Sequence, residues 1–168
     1  HEGIRIPGIK LIDGGVLRKD LFDTIINMTR QPTMVGLDLK CGIAANNVAK
    51  SRVQEMFAHY GPELIDAVTL KMMQHAEDVL RKRIAEIPDG VWKESSAMEA
   101  DESWKVNLVL SKIGDRLIFD FTGSDPQASK GINLPYHATF GVCFSAVLST
   151  LAYDLPKNHG IFRPIEVI

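Results

Sequence analysis

Two long segments with apolar residues at helical spacing meet at Gly61-Pro62, and they constrain the fold more than any other feature of this sequence. Apolar side chains recur at near-helical spacing over residues 33–60 and again over residues 62–87. A glycine followed by a proline is the order expected after the C-terminus of a helix. The sequence therefore predicts a long antiparallel helical hairpin over residues 33–87.

Past the hairpin, the spacing of apolar residues changes from helical to alternating. Residues 88–122 predict a small antiparallel β-meander of about three strands, with a tight turn at Gly114. Residues 123–168 predict a motif loop, a further buried helix that starts near Tyr136, and a terminal strand. Residues 1–32 predict an extended opening segment and a short helix. The fold class that follows is α+β.

The composition is that of a soluble globular protein. Of the 168 residues, 45% are hydrophobic and 24% are charged, and the net charge is -2. Because the net charge is close to zero, the sequence gives no sign of a basic surface for nucleic acid. The apolar run over residues 138–153 is too short to span a bilayer. We therefore expect a cytoplasmic protein with neither nucleic acid nor membrane as a partner. We also expect Cys41 and Cys143 to be reduced core thiols.

The stretch from Phe119 to Gln127 brings a strand, a polar turn and the approach to a helix close together. Alternation places Phe119 and Phe121 on one face of the strand and Asp120 on the other, where its carboxylate is either solvated or functional. The side chains of residues 122–127 are typical of an ordered turn that bonds to its own backbone. Taken alone, the turn favours a structural interpretation over a catalytic one.

Other short motifs lie before and after this turn. In chain order the set is Glu2-Gly3-Ile4-Arg5-Ile6-Pro7, Lys10-Leu11, Gly14-Gly15, Asp38-Leu39, Ile43-Ala44-Ala45-Asn46, Asp120 to Gln127, Asn133-Leu134-Pro135 and Asn158 to Ile165. With this set of motifs in this order, the chain resembles the hydantoinase B / 5-oxoprolinase family. Members of that family are several times longer, so the resemblance implies an internal segment of a larger subunit.

The resemblance also implies an enzyme complex. Proteins of this family are large subunits of ATP-dependent enzymes, in which a hydantoinase A-like, ATP-binding partner subunit also holds Mg and phosphorylates a small-molecule substrate. Some of these hetero-oligomers hydrolyse a cyclic amide, as hydantoinases and 5-oxoprolinases do. Others join bicarbonate to an activated ketone, as acetone and acetophenone carboxylases do.

One departure from the family pattern bears on this choice. The chain has Asp38-Leu39-Lys40-Cys41-Gly42 where the family usually has Asp-Leu-Arg-Ala-Gln, and Tyr136-His137 follows the motif that ends at Pro135. On these grounds we expect a ketone carboxylase, with the cyclic amidohydrolase as the alternative. A hypothesis of another class is a non-catalytic scaffold that docks subunits.

Polar or charged residues in or next to the matched motifs are the candidate site residues. Glu2 and Asp120 are candidate catalytic acids or bases. His137, in the first turn of the predicted helix, is the third candidate catalytic residue. The candidate substrate-binding residues are Arg5, Asn133, Asn158 and Arg163, of which the two arginines would bind an anion.

Structural alternatives stand beside these roles, and a metal is expected elsewhere. Arg5 with the nearby Glu2 suits an ion pair, and a lone histidine such as His137 is often structural. The resemblance implies a divalent metal bound by His and Asp residues in a segment that would precede His1. The sequence has no such cluster, so we expect no metal ligands within this chain.

Overall fold

The structure, a computed structural model, describes residues 6–99 and 102–168, with only the backbone of Glu99. The chain divides into two compact units, His1–Ile65 and Asp66–Ile168. Helices and strands occur in both units, which confirms the predicted α+β class. Within the described ranges, every helix is too short or too polar to cross a membrane.

The first unit contains a short β-hairpin and two packed helices, which are β1 (Ile12–Asp13), β2 (Val16–Leu17), α1 (Lys19–Asn27) and α2 (Pro32–Tyr60). Gly14 and Gly15 turn the hairpin with φ angles of 57° and 83°, a conformation that other residues rarely adopt. Helix α1 packs on α2, where the buried ring of Phe22 lies against the buried Gly36.

The two long helices lie where the sequence predicts them, with α2 ending at Tyr60 and α3 covering Pro62–Ala85. Gly61 has a φ of 77° between them. Because α2 lies in the first unit and most of α3 in the second, their packing as a hairpin stays a prediction. Cys41 is exposed, so its predicted place in a core is wrong. The reason is length, since α1 has 9 residues and leaves most of the 29-residue α2 uncovered.

The second unit is built on a sheet of β3 (Gly90–Glu99), β4 (Ser103–Ile113), β5 (Arg116–Asp120) and β6 (Ile165–Val167), in that spatial order. The first three strands pair antiparallel, which confirms the predicted meander, and Gly114 turns its second hairpin. The terminal strand was also predicted, but its parallel pairing with β5 was not. Parallel neighbours need a long crossover, and this one contains helix α4 (Tyr136–Thr150).

The core of the second unit combines side chains from α3, α4 and one face of the sheet. Its buried members include Ala76, Leu80, Ile84, Leu117, Phe119, Cys143, Val147, Ile161, Ile165 and Val167. Leu117 and Phe119 are buried at alternate positions of β5, in line with the alternation predicted for this strand. Cys143 is buried as expected, and burial raises the pKa of its thiol, which keeps the sulfur protonated and unreactive.

Candidate functional site

The polar turn after β5 is bound to the neighbouring strand β4 by its own side chains. Backbone pairing between the two strands reaches Asp120. Beyond it, Ser124 Oγ accepts the Asn107 N–H at 3.0 Å, and Asp125 Oδ2 accepts the Lys105 N–H at 2.6 Å. The Asp125 N–H donates in turn to the Lys105 carbonyl at 2.9 Å. The side-chain oxygens thus continue the ladder past the end of β5, as the structural interpretation of the turn requires.

Asp120 holds the first residues of this turn in place. Its Oδ1 accepts the Thr122 N–H at 2.8 Å. Hydrogen bonds from the hydroxyl and the amide of Thr122 hold the pKa of Asp120 below its ordinary value of 3.8. A carboxylate with a lowered pKa is a weak base near neutral pH. The geometry suits a turn anchor, and the catalytic role of Asp120 stays a prediction.

Asn133 closes the loop that leads to α4. Its Oδ1 accepts the N–H of the buried Ala128 at 2.8 Å. His137 lies in the first turn of α4, where it is exposed, and its ring centroid is 5.7 Å from that of Tyr136. Asn133 therefore shapes the loop, whereas the imidazole of His137 is accessible from solvent.

Asn133→Ala should loosen this loop without unfolding the second unit. The substitution leaves the buried Ala128 N–H without its acceptor, which should cost about 1 kcal/mol. Limited proteolysis of the intact subunit should therefore cut faster within residues 124–135. Asn133→Asp keeps an oxygen acceptor and is the matched control. Equal cleavage rates in the two variants would contradict the assignment.

Three residues that follow α4 contact one stretch of α3, and we call them the α3 clamp: Asn158, Gly160 and Arg163. Asn158 Oδ1 accepts the Gly160 N–H at 2.9 Å, and Asn158 Nδ2 donates to the Met72 carbonyl at 3.2 Å. Gly160 lies so close to α3 that a Cβ atom there would overlap the carbonyl oxygen of Met73. Asn158 thus holds the fold together, and its predicted contact with substrate stays a prediction.

Arg163 completes the clamp through a buried carboxylate. Its Nη1 donates to Glu77 Oε2 at 2.7 Å, while Glu77 Oε1 accepts from Arg81 Nε at 2.9 Å. Arg81 also lies 3.2 Å from a carboxylate oxygen of Asp115. Hydrogen bonds from Arg163 and then Arg81 hold the pKa of Glu77 below its ordinary value of 4.5, against the effect of burial. In this structure the anion held by Arg163 is therefore Glu77.

Glu77 and His159 were missed by the sequence analysis. Glu77 lies four residues before Arg81, a spacing that by itself indicates only an exposed helical pair. His159 lies between two clamp residues and is exposed. Its place inside a matched motif was the available signal. Glu2 and Arg5, two of the predicted site residues, lie outside the described residues.

Two cavities in the second unit border the sheet. One, of about 110 Å³, lies beside the motif loop, with Trp104, Lys105 and Asn133 among its lining residues. It is smaller than the roughly 300–1,000 Å³ of most small-molecule sites. The other, of about 340 Å³, is lined mainly by apolar side chains of the sheet and α4. The buried ammonium of Lys112 at its wall bonds to Asp89 at 2.8 Å.

The part of the chain that the structure describes contains no set of metal ligands. In residues 6–99 and 102–168, no three His, Cys, Asp or Glu side chains lie close enough together to hold an ion. The divalent metal implied by the family resemblance therefore does not fit these residues, and no chemical step is assigned to one.

The chain is similar to known proteins over its whole length. The family model described as hydantoinase B/oxoprolinase matches residues 1–168. The chain is 27% identical to the assigned B-type subunit of the D-/L-hydantoinase of Pseudomonas sp. (strain NS671), covering 99% of this chain and 31% of that protein. It is 23% identical to the acetophenone carboxylase delta subunit of Aromatoleum aromaticum, covering 99% of this chain and 25% of that protein.

A solved structure shares the fold. The ATP-dependent caprolactamase from Pseudomonas jessenii superposes with a TM-score of 0.85 at 23% identity, covering 99% of this chain and 29% of that chain. The chain thus spans between 25% and 31% of the length of these three proteins.

Proposed function

The chain belongs to the hydantoinase B/oxoprolinase family over residues 1–168, and from this we propose that it forms part of the B-type subunit of an ATP-dependent complex that opens a cyclic amide. The family match carries the proposal, since hydantoins and oxoproline are both cyclic amides. The hydantoinase relative at 27% identity supports the same substrate class. We propose that a hydantoinase A-like partner subunit holds ATP and Mg and phosphorylates the amide oxygen.

Phosphorylation would make the amide easier to open. A planar amide resists attack by water because its nitrogen donates electron density to the carbonyl. Transfer of a phosphoryl group to the oxygen removes this protection and provides a leaving group. Water then adds to the carbon, and the C–N bond breaks to release the ring nitrogen and leave an acyl phosphate. A second water displaces phosphate from it, so that ATP, the cyclic amide and two waters give the ring-opened acid, ADP and phosphate. The B-type subunit would hold the ring during this later step.

Ketone carboxylation, the function favoured in our sequence analysis, is the second candidate. The delta subunit of acetophenone carboxylase supports it, at the lower identity of 23%. Of the residues that prompted it, Asp38 to Gly42 lie in the first unit on α2, where Lys40 places its ammonium 5.4 Å from the ring centroid of Phe22. A docking scaffold is the third candidate, favoured by exposed apolar side chains on α2 such as Leu37, Val48 and Phe57.

Activity assays on the purified complex of the intact subunit and its partner distinguish these candidate functions. We expect ADP and a ring-opened product, measured by mass spectrometry, when hydantoin, 5-oxoproline or caprolactam is added with ATP and no bicarbonate. ADP formed only with acetophenone or acetone and bicarbonate would replace the proposal with the carboxylase. If none of these mixtures produced ADP, the scaffold would be the better explanation.

A further inference from the structure

His159 lies in the same motif as the α3 clamp but is not one of the clamp residues. The residues on either side, Asn158 and Gly160, are fixed against α3, and the short 3₁₀ helix His159–Phe162 places the imidazole at the surface. The ring of His159 meets the ring of Phe162 edge to face, with centroids 5.3 Å apart. The backbone of His159 is thus held rigidly while its side chain is presented to solvent.

The ring of Phe162 connects His159 to the start of α4. It makes edge contacts with Phe140, at 5.7 Å between centroids, and with Phe144, at 4.4 Å. Phe140 in turn lies 6.3 Å from Tyr136, whose ring contacts that of His137. We call Tyr136, Phe140 and Phe162 the aromatic ridge. An exposed histidine thus lies at each end of a continuous series of ring contacts.

Tyr136 is exposed and the rings of Phe140 and Phe162 are half-buried, and their chemistry suits a small cyclic amide. Aromatic side chains bind the apolar atoms of a ring through contact area, and imidazole N–H groups donate hydrogen bonds to a carbonyl oxygen. A donor held at a fixed position stabilises the negative charge that develops on the acyl oxygen when water attacks the acyl phosphate. The clamp provides such a fixed position for His159.

We propose that His159 is a substrate-contacting residue, which donates a hydrogen bond to the acyl oxygen when water attacks the acyl phosphate formed from a cyclic amide packed on the aromatic ridge. This inference rests on the proposed function. It assigns the contact to His159 and leaves Asn158 and Arg163 a supporting role.

The test uses the intact complex with ATP and the cyclic amide on which the wild type is active. His159→Ala should lower kcat/KM by roughly 100-fold, as loss of a fixed donor to a developing oxyanion does. His159→Gln, which keeps an N–H donor, should recover at least about tenfold of that loss. The thermal midpoint of both variants should match the wild type, because the side chain is exposed. His75→Ala removes another imidazole, from α3, and should leave the rate unchanged.

Each alternative result has a separate meaning. An active wild type together with a His159→Ala variant of equal kcat/KM would overturn the inference and leave the proposed function standing. A loss of rate that follows a lowered thermal midpoint, with no recovery in His159→Gln, would reduce His159 to a structural residue. A wild-type complex inactive on every cyclic amide would overturn the proposed function, and this inference with it.

Discussion

Gly160→Ala should cost the intact subunit about 3 kcal/mol of stability or more, at the upper end of the effect of overpacking. A Cβ atom at this position would overlap the carbonyl oxygen of Met73 and lie 2.7 Å from its carbonyl carbon. These are backbone atoms in the middle of α3, so they cannot rotate away as the end of a side chain would. Either α3 shifts or the α3 clamp opens, and the buried Ile161 is pulled from the core.

Urea denaturation of the intact subunit, followed by tryptophan fluorescence, measures this effect. Trp92 and Trp104 both lie in the second unit and report its unfolding. Gly141→Ala is the matched control, since a Cβ there has open space and alanine favours a helix by roughly 0.5–1 kcal/mol. A Gly160→Ala variant as stable as this control would mean that the clamp is not packed as described.

Local sequence signals were enough to predict most helices and strands. Gly61-Pro62 separates the two long helices, and the change of period at Pro88 separates α3 from the sheet. Gly114 marks the β4–β5 turn. These features depend on residues close together in the chain, whose spacing is readable directly.

Features that depend on distant partners were not predictable in this way. Arg163 and Glu77 are 86 positions apart, and nothing near either residue indicates the other. The parallel pairing of β6 with β5 likewise needs a crossover whose path no local pattern specifies. Family resemblance identified the motif around Asn158, but a motif does not say whether its side chains bind substrate or hold the chain. Contacts within the second unit show that Asn158 and Arg163 hold the chain, and their predicted contact with substrate stays a prediction.

Glu77→Gln should cost the intact subunit about 2–3 kcal/mol of stability, since breaking a buried ion pair leaves uncompensated charge. The Glu77 side chain is only 12% exposed and bridges Arg163 and Arg81, so the amide of glutamine can satisfy one guanidinium but repels the other. The effect falls short of that of a fully buried pair because the Arg163 side chain is 44% exposed. Glu55→Gln, in the exposed pair with Arg52, is the control and should change stability far less.

The pH dependence of that difference identifies the carboxylate as its cause. Since the folded-state pKa of Glu77 lies below 4.5, its charged form is favoured by folding, and the stabilisation is fully present above pH 4.5. This stabilisation is lost as the pH falls through the lowered pKa, because the Glu77 carboxylate of the wild type then binds a proton, whereas the variant has no carboxylate at this position. Urea midpoints measured from about pH 7 down to about pH 3 should therefore converge for wild type and Glu77→Gln. A gap that stayed constant across this range would mean that packing, rather than charge, holds the clamp to α3.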